Sequence, residues 1–428
     1  MTSQTVGLSW IQTAAENVAY QWLEQLAPFN TPLGTGTPTT PAGHTAQTYH
    51  NAGQLAVTNY LNSVSPWGNM QRIQVLPDGT ITTRYGERCY DDSPSGVLDY
   101  GNAMWYLPAY WYWTYHKQTT DDVATYRWFM SPTGSPNDVI NQGSFPADVD
   151  TGTLPNWTSW PYTPTWKLHP AYIRNGINEP WIALGTYEGY QQTINGVSQL
   201  TSQTGVVPTG SQTITQFRTL AKSINLNLNW GIQDYLATTA VQLPYLIEYG
   251  GFNSQLLLGG GYSNVGSITA TGNTASSGNT SVGTSNNYLT PVSFHGLENL
   301  YGNQYKFLDG LNLQGGNTPW IADHNFAVNT FSGTYNNTTF SLPTINGAVI
   351  SDIYVTSQYD YGFLPSAVAG TSTTKLCDVY GYTSNASGLL AYGGPYTYSI
   401  NGGVFGLVEY PYTESTLAAG ARLMFIPQ

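Results

Sequence analysis

Charge is what this sequence has least of. Of its 428 residues, 12 are Lys or Arg and 24 are Asp or Glu, so charged side chains make up 8% of the chain where about a quarter is usual. The balance is −12 with no basic run anywhere, so the electrostatic footprint that phosphate backbones require is missing and no nucleic-acid partner is expected. Cysteine is almost absent. Cys89 and Cys377 are the only two, which excludes a disulfide framework or a Cys-rich zinc site by count and leaves one long-range disulfide open. No run approaches the ~18 apolar residues of a membrane-spanning helix, so no membrane span is expected. The opening Met1-Thr2-Ser3-Gln4 carries neither a basic nor an apolar signal-peptide region, so assembly in the cytoplasm without a signal peptide is expected.

Aromatic residues, at 14%, and Gly, Thr, Ser and Asn fill the space that charge leaves. Disordered chains are poor in aromatics and rich in charge, so this composition instead predicts a rigid, β-rich, loop-rich body with a neutral polar surface. The length allows two or three domains, or one elaborated domain.

Residues 1–65 differ from the rest. Leu8, Ile11, Ala15, Val18 and Trp22 recur at spacings of three and four, which predicts an amphipathic helix over 9–26. A Pro/Thr/Gly-rich linker at 30–43 and a second helix at about 45–64, ended by Pro66, follow. This helical segment reads either as a docking or oligomerisation module or as two helices packed on the main body. From about residue 70 the pattern turns to strands. Pro77-Asp78-Gly79 predicts a hairpin between 72–75 and 80–85. The aromatic run at 101–116 predicts a strand buried on both faces, with a carbohydrate platform as the alternative, and strands are also expected at 166–173, 181–188, 348–355, 403–410 and 421–426. Thr213-Ile214-Thr215-Gln216 is a capping box opening one helix, and 232–248 carries the broad inward stripe of a second, with Pro244 inside it. A long surface loop is expected at about 131–165, and an exposed loop or irregular hairpin at 250–287.

The densest stretch is 293–312. Asp309-Gly310, flanked by apolar and aromatic residues, predicts a two-residue type I′ hairpin, because such a turn needs positive φ. Gly302-Asn303 offers a second reversal, which brings Glu298 and Lys306 onto neighbouring segments of one knot. Gly296, Glu298, Asn299, Gly302, Asn303, Phe307, Asp309 and Gly310 are its expected structural positions. Their charges read as structural ion pairs or backbone caps, with a reaction centre as the sharper alternative.

Four ordered segments, WKLHPAYIRNG (166–176), QLPYLIEYGGFNSQ (242–255), FHGLENLYGNQYKFLDG (294–310) and GARLMF (420–425), resemble those of phage and prophage tail-tip proteins. Those proteins carry a C-type-lectin-like domain of the formylglycine-generating-enzyme type and are related to retroelement-diversified tropism determinants. The resemblance covers roughly 70–428 and implies an α+β, C-type-lectin-like fold with irregular antiparallel strands and two helices, joined to the short helical segment 1–65. It further implies a virion-associated receptor-binding protein at a tail tip or fibre, a homotrimer that recognises a host cell-surface glycan or protein, while the stripe in 1–65, outside the resemblance, is what is expected to trimerise it or dock it to other tail proteins. Receptor contacts in that family lie near the C-terminus, which here points to Tyr380, Tyr382, Tyr392, Tyr396, Tyr398, Asn401, Tyr410 and Tyr412. Tyr gives a large, rigid, amphipathic contact and Asn and Ser give adaptable hydrogen bonds. The alternative is a virion structural or decoration protein of the same fold.

Enzymatic readings find little support. Oxidases of related fold need paired cysteines or a histidine cluster, whereas His295-x-x-Glu298 is the only close His/carboxylate pair here with even a loose resemblance to a ligand spacing. There is no Gly-x-Ser-x-Gly elbow, phosphate-binding Gly-Lys-Ser/Thr loop or His-Glu-x-x-His helix. Carboxylates for glycoside cleavage remain open, since the fold sets their spacing. Catalytic residues, metal ligands and cofactors are therefore expected to be none, with a structural calcium on oxygen-rich loops left open.

Overall fold

The computed structural model describes residues 6–7, 66–118, 124–131, 165–249, 252–283, 287–315, 317–370, 376, 378–383 and 387–427. The two N-terminal helices, nearly all of the 131–165 loop and Cys377 lie outside these residues. The described chain is mostly strand with few helices, 34% against 15%, so the expected mixture of helix and strand holds with its weight on β.

A six-stranded sheet organises the first half. Its spatial order is Asn229–Ile232, Leu423–Ile426, Trp181–Gly185, Asn102–Pro108, Gln71–Val75 and Ile81–Arg84, all antiparallel neighbours. The expected hairpin is present: Gly79 takes φ +86°, and Leu76 and Thr80 close the turn through N–H to O at 2.9 Å. Successive side chains of a strand point to opposite faces, and here both faces are apolar. Ile182, Leu184, Trp105, Leu107, Met424 and Ile426 enter one core, while Ala183, Met104, Leu423, Phe425, Ile73 and Val75 enter another. The sheet is thus a wall between two cores, a position that parallel sheets more often occupy.

Each core has its own helix. The capping box forms as its spacing requires, with the Thr213 hydroxyl accepting the Gln216 N–H at 3.3 Å and the Gln216 carboxamide oxygen accepting the Thr213 N–H at 2.8 Å. Helix Ile214–Lys222 then lays Ile214, Phe217, Leu220 and Ala221 on the second core. Helix Tyr235–Tyr249 corrects the expected inward stripe, since all of its positions are buried and it has no solvent face. A helix apolar all round belongs inside a core, and this one runs between the wall and a second sheet. Asp234 starts it by accepting the Ala237 N–H at 2.7 Å while pairing with Arg174 at 2.5 Å.

The second sheet has nine strands among the described residues. Tyr305–Gln314 lies between Thr318–Ile321 and Ser387–Tyr392, and the sheet continues through Leu407–Tyr410, Val379–Gly381, Ala348–Ile353 and Pro365–Gly370. The predicted Asp309-Gly310 hairpin is not formed. Both residues lie inside one ten-residue strand, and Gly310 uses its φ of +66° for a bulge in which residues 308–311 stand against the single Leu390. The hairpin of this stretch comes earlier. His295 and Gly296, at φ +46° and +95°, join Ser293–Phe294 to Leu297–Glu298 in a two-residue turn.

Two further expectations are corrected, one by strand pairing and one by burial. The aromatic run 101–116 is two strands in different sheets: after Asn102–Pro108 the chain moves to Trp111–Gln118, which pairs with Ala124–Ser131. The described residues of 250–287 are not an exposed excursion throughout. Phe252, Leu257 and Leu258 join the first core, Ser263, Thr271 and Thr274 are buried, and Thr274 is bonded to Glu298 of the 293–312 stretch.

Candidate recognition face

The buried knot at 293–312 is built from charge, and none of that charge converges on a reacting position. Glu298 accepts the Gly272 N–H at 2.7 Å, the Thr274 N–H at 2.6 Å and the Thr274 hydroxyl at 2.8 Å, so its carboxylate caps the 272–274 turn. Burial raises its pKa, and those hydrogen bonds oppose the rise. Lys306 does not pair with Glu298. Its ammonium meets Glu188 at 2.9 Å and donates to the Gly302 carbonyl at 2.7 Å, and burial lowers its pKa to about 8 against the pull of Glu188. Asp309 takes both ends of the Arg218 guanidinium, at 2.9 and 2.7 Å. His295 turns to Glu248 at 2.7 Å, so the His295-x-x-Glu298 pair is split between two partners. Structural ion pairs and a backbone cap, the bland alternatives, describe these residues.

Two buried arginines grip the same stretch from either side. Arg72 donates to the carbonyls of Gly296, Ala275 and Thr274, with Tyr187 5.5 Å from its guanidinium carbon. Arg422 donates to the carbonyls of Gly185, Thr186, Glu298 and Asn299. Neither uses a carboxylate. A guanidinium has five donors in a rigid fork and suits several carbonyls at once, which ties the hairpin to the wall on both flanks.

This knot carries the loop 393–402. Asn303 and Asn299 give their carboxamide N–H groups to Glu188, at 2.5 and 3.1 Å, and the Asn303 carbonyl then accepts the Tyr396 N–H at 3.0 Å. Val265 N–H donates to the Tyr396 carbonyl at 3.0 Å, and Ser399 N–H to the Ser263 carbonyl at 2.6 Å. The two feet of the loop meet through Gly393 and Gly394, at φ +96° and +79°. A Cβ on Gly394 would fall 2.6 Å from Gly402, so the close approach requires glycine there. The loop is short, closed at its base and fixed along its backbone.

Neither a protein-family model nor a curated protein matches the chain. Among solved structures, the P3c, I1 and U1 variants of Major Tropism Determinant are similar at 12% identity, with 83% of this chain and 72% of each of theirs covered and a TM-score of 0.27. A likeness of that size leaves the site to be argued from the chain's own geometry.

That geometry sorts the eight expected contact residues. Tyr380 and Tyr392 are fully buried in the first core, and Tyr392 exchanges hydrogen bonds with Gln233 at 3.0 and 3.2 Å, so neither is displayed. Tyr398 and Tyr410 stand edge-on to Tyr305, with centroids 5.6 and 5.9 Å away, and pack with Tyr412 on the second core while staying half-buried. Tyr382 is half-buried against the first core. Tyr396 and Asn401 ride the loop itself, also half-buried, with Thr397 exposed between them. Sequence reasoning missed Glu188, which fixes Lys306, Asn299 and Asn303 together. Nothing local marks it, because its partners lie more than a hundred residues away.

Proposed function

We propose that the chain is a virion-associated receptor-binding protein whose body is C-type-lectin-like and whose host contact is made by the loop 393–402 and its surroundings. The observation that supports this is the mounting of the loop. Its backbone is fixed by Asn303, Ser263 and Val265, while Tyr396, Thr397 and Asn401 reach solvent. A rigid support with adaptable polar and Tyr side chains above it is the arrangement that recognition surfaces use to limit the entropy lost on binding. Residues 1–65 dock this body to other tail proteins as a homotrimer, a reading that rests on the three-and-four spacing from Leu8 to Trp22.

The test is adsorption. Purified protein should bind a subset of bacterial isolates and block infection of those isolates by the phage that carries it, and light scattering should give a trimer. Gold-labelled protein-specific antibody should mark the distal tail. Labelling spread over a capsid or tail tube, with no cell binding, would establish the decoration role instead.

A further inference from the structure

Two residues that are not glycine adopt left-handed backbone next to each other on the surface. Tyr288 has φ +56° and Ser399 has φ +51°, and both bond to one residue: Ser263 donates its N–H to the Tyr288 carbonyl at 3.2 Å and accepts the Ser399 N–H at 2.6 Å. Asn264 N–H also donates to the Tyr288 carbonyl, at 2.9 Å, and Tyr262 bridges to Leu289. The segments 262–265, 287–289 and 396–401 therefore form one surface joined by backbone hydrogen bonds. A bulky side chain at positive φ is strained, and such strain persists where surrounding structure enforces it. Here it turns Tyr288 onto the surface beside the 393–402 loop.

The side chains of this surface have one property in common. Asn264, Asn287 and Thr397 are exposed, Leu289 is 53% exposed, and Tyr288, Tyr396, Ser399 and Asn401 are half-buried. None is charged, and the stretches that supply them, 249–294 and 379–408, contain no Asp, Glu, Lys, Arg or His before His295 and Glu409. A surface without charge offers nothing to a charged polymer and cannot pair the charged residues that make up about a quarter of an ordinary protein. Tyrosine rings can lie against the apolar face of a sugar ring, while Asn, Ser and Thr donate to and accept from its hydroxyls.

Building on the recognition role proposed for the loop, we infer that Tyr288, Leu289 and Asn264 form a second half of the contact face together with Tyr396 and Asn401, and that the composite face binds an uncharged carbohydrate of the bacterial surface. The measurement uses fluorescent full-length protein on whole cells of an isolate that it binds. Mild periodate, which cleaves vicinal diols, should abolish binding, whereas proteinase K treatment of the cells should leave it intact. Binding should change little between about 50 and about 500 mM NaCl, because no ion pairs are made. Tyr288→Gly keeps the left-handed backbone without its strain and removes the ring. It and Tyr396→Ala should each weaken binding by about tenfold or more, with melting temperature unchanged, while Leu226→Ser, at an exposed residue outside the face, binds as wild type. Loss to proteinase K with survival of periodate would establish a protein receptor and overturn the carbohydrate assignment. Wild-type binding by Tyr288→Gly would remove the second half of the face. If no isolate is bound at all, the receptor-binding role itself falls.

Discussion

Asn303 and Tyr396 are joined by a 3.0 Å hydrogen bond from the Tyr396 N–H to the Asn303 carbonyl, and through it the buried knot holds the displayed loop. The Asn303 side chain is fully committed as well. It donates to Glu188 at 2.5 Å and to the Thr269 carbonyl at 3.0 Å, and it accepts the Thr269 N–H at 2.7 Å. Asn303→Ala loses all three bonds at a residue with φ +63°, where a Cβ without a polar group is disfavoured. It should cost about 3 kcal/mol in denaturant unfolding and speed hydrogen exchange at the Tyr396 amide. Asn303→Gly should cost less, since it relieves the backbone, and Asn303→Asp should cost most, since it sets a carboxylate against Glu188. An Asn303→Ala protein within about 0.5 kcal/mol of wild type would show that the knot does not hold the loop.

Gly310 tests the bulge. A Cβ there would lie 2.8 Å from the Ala322 carbonyl oxygen and 2.8 Å from the Phe326 ring, at φ +66°. Gly310→Ala should therefore combine backbone strain with a clash against main chain and lose about 2–4 kcal/mol. Gly176→Ala supplies the comparison: φ is +77° and the space around its Cβ is open, so only the backbone cost of about 1 kcal/mol is expected. Equal losses at the two sites would mean that the clash is relieved at no cost.

These same residues show what could be read in advance. The capping box at Thr213 and the Pro77-Asp78-Gly79 turn are local chemistry, complete within four residues, and both formed as expected. Asp309-Gly310 has the chemistry of a turn too, and Gly310, though not Asp309, takes the positive φ that such a turn needs. Whether that φ closes a hairpin or makes a bulge depends on which strands lie alongside, and those strands are Thr318–Ile321 and Ser387–Tyr392. Tyr380 and Tyr392 failed as displayed residues for a related reason. Tyrosine is amphipathic, so its letter does not say which face of a strand it occupies, and here both point into the first core.

Glu409 should make stability fall as pH rises. Its carboxylate is buried in the second sheet, accepts the Thr383 N–H at 3.0 Å through one oxygen and leaves the other without a partner. Burial raises its pKa to about 7, with the Thr383 amide opposing. The folded state thus holds this proton more tightly than the unfolded chain does. The stabilisation that it contributes is complete below the ordinary Glu value of about 4.3 and is lost as pH climbs through 7. Glu409→Gln should stabilise the protein by about 1–2 kcal/mol near pH 8, after allowance for screening by nearby solvent, and change little near pH 4. Melting curves across that range would decide it, and an equal effect at both ends would rule out titration of Glu409.

Lys306 and Glu188 form a buried pair in which each residue depends on the other. Lys306 is 1% exposed and Glu188 2%, and the carboxylate is also held by Asn299 and Asn303. Removing one member strands the other. Lys306→Met leaves the Glu188 carboxylate without its cation in a dry site and should cost about 3–5 kcal/mol. Glu188→Gln/Lys306→Met removes both charges but keeps an oxygen for the two asparagines, so it should regain part of that loss despite carrying one more substitution. A double variant less stable than Lys306→Met would show that the stranded Glu188 charge is not what costs stability there, and that the carboxylate's bonds to Asn299 and Asn303 matter more than its missing cation.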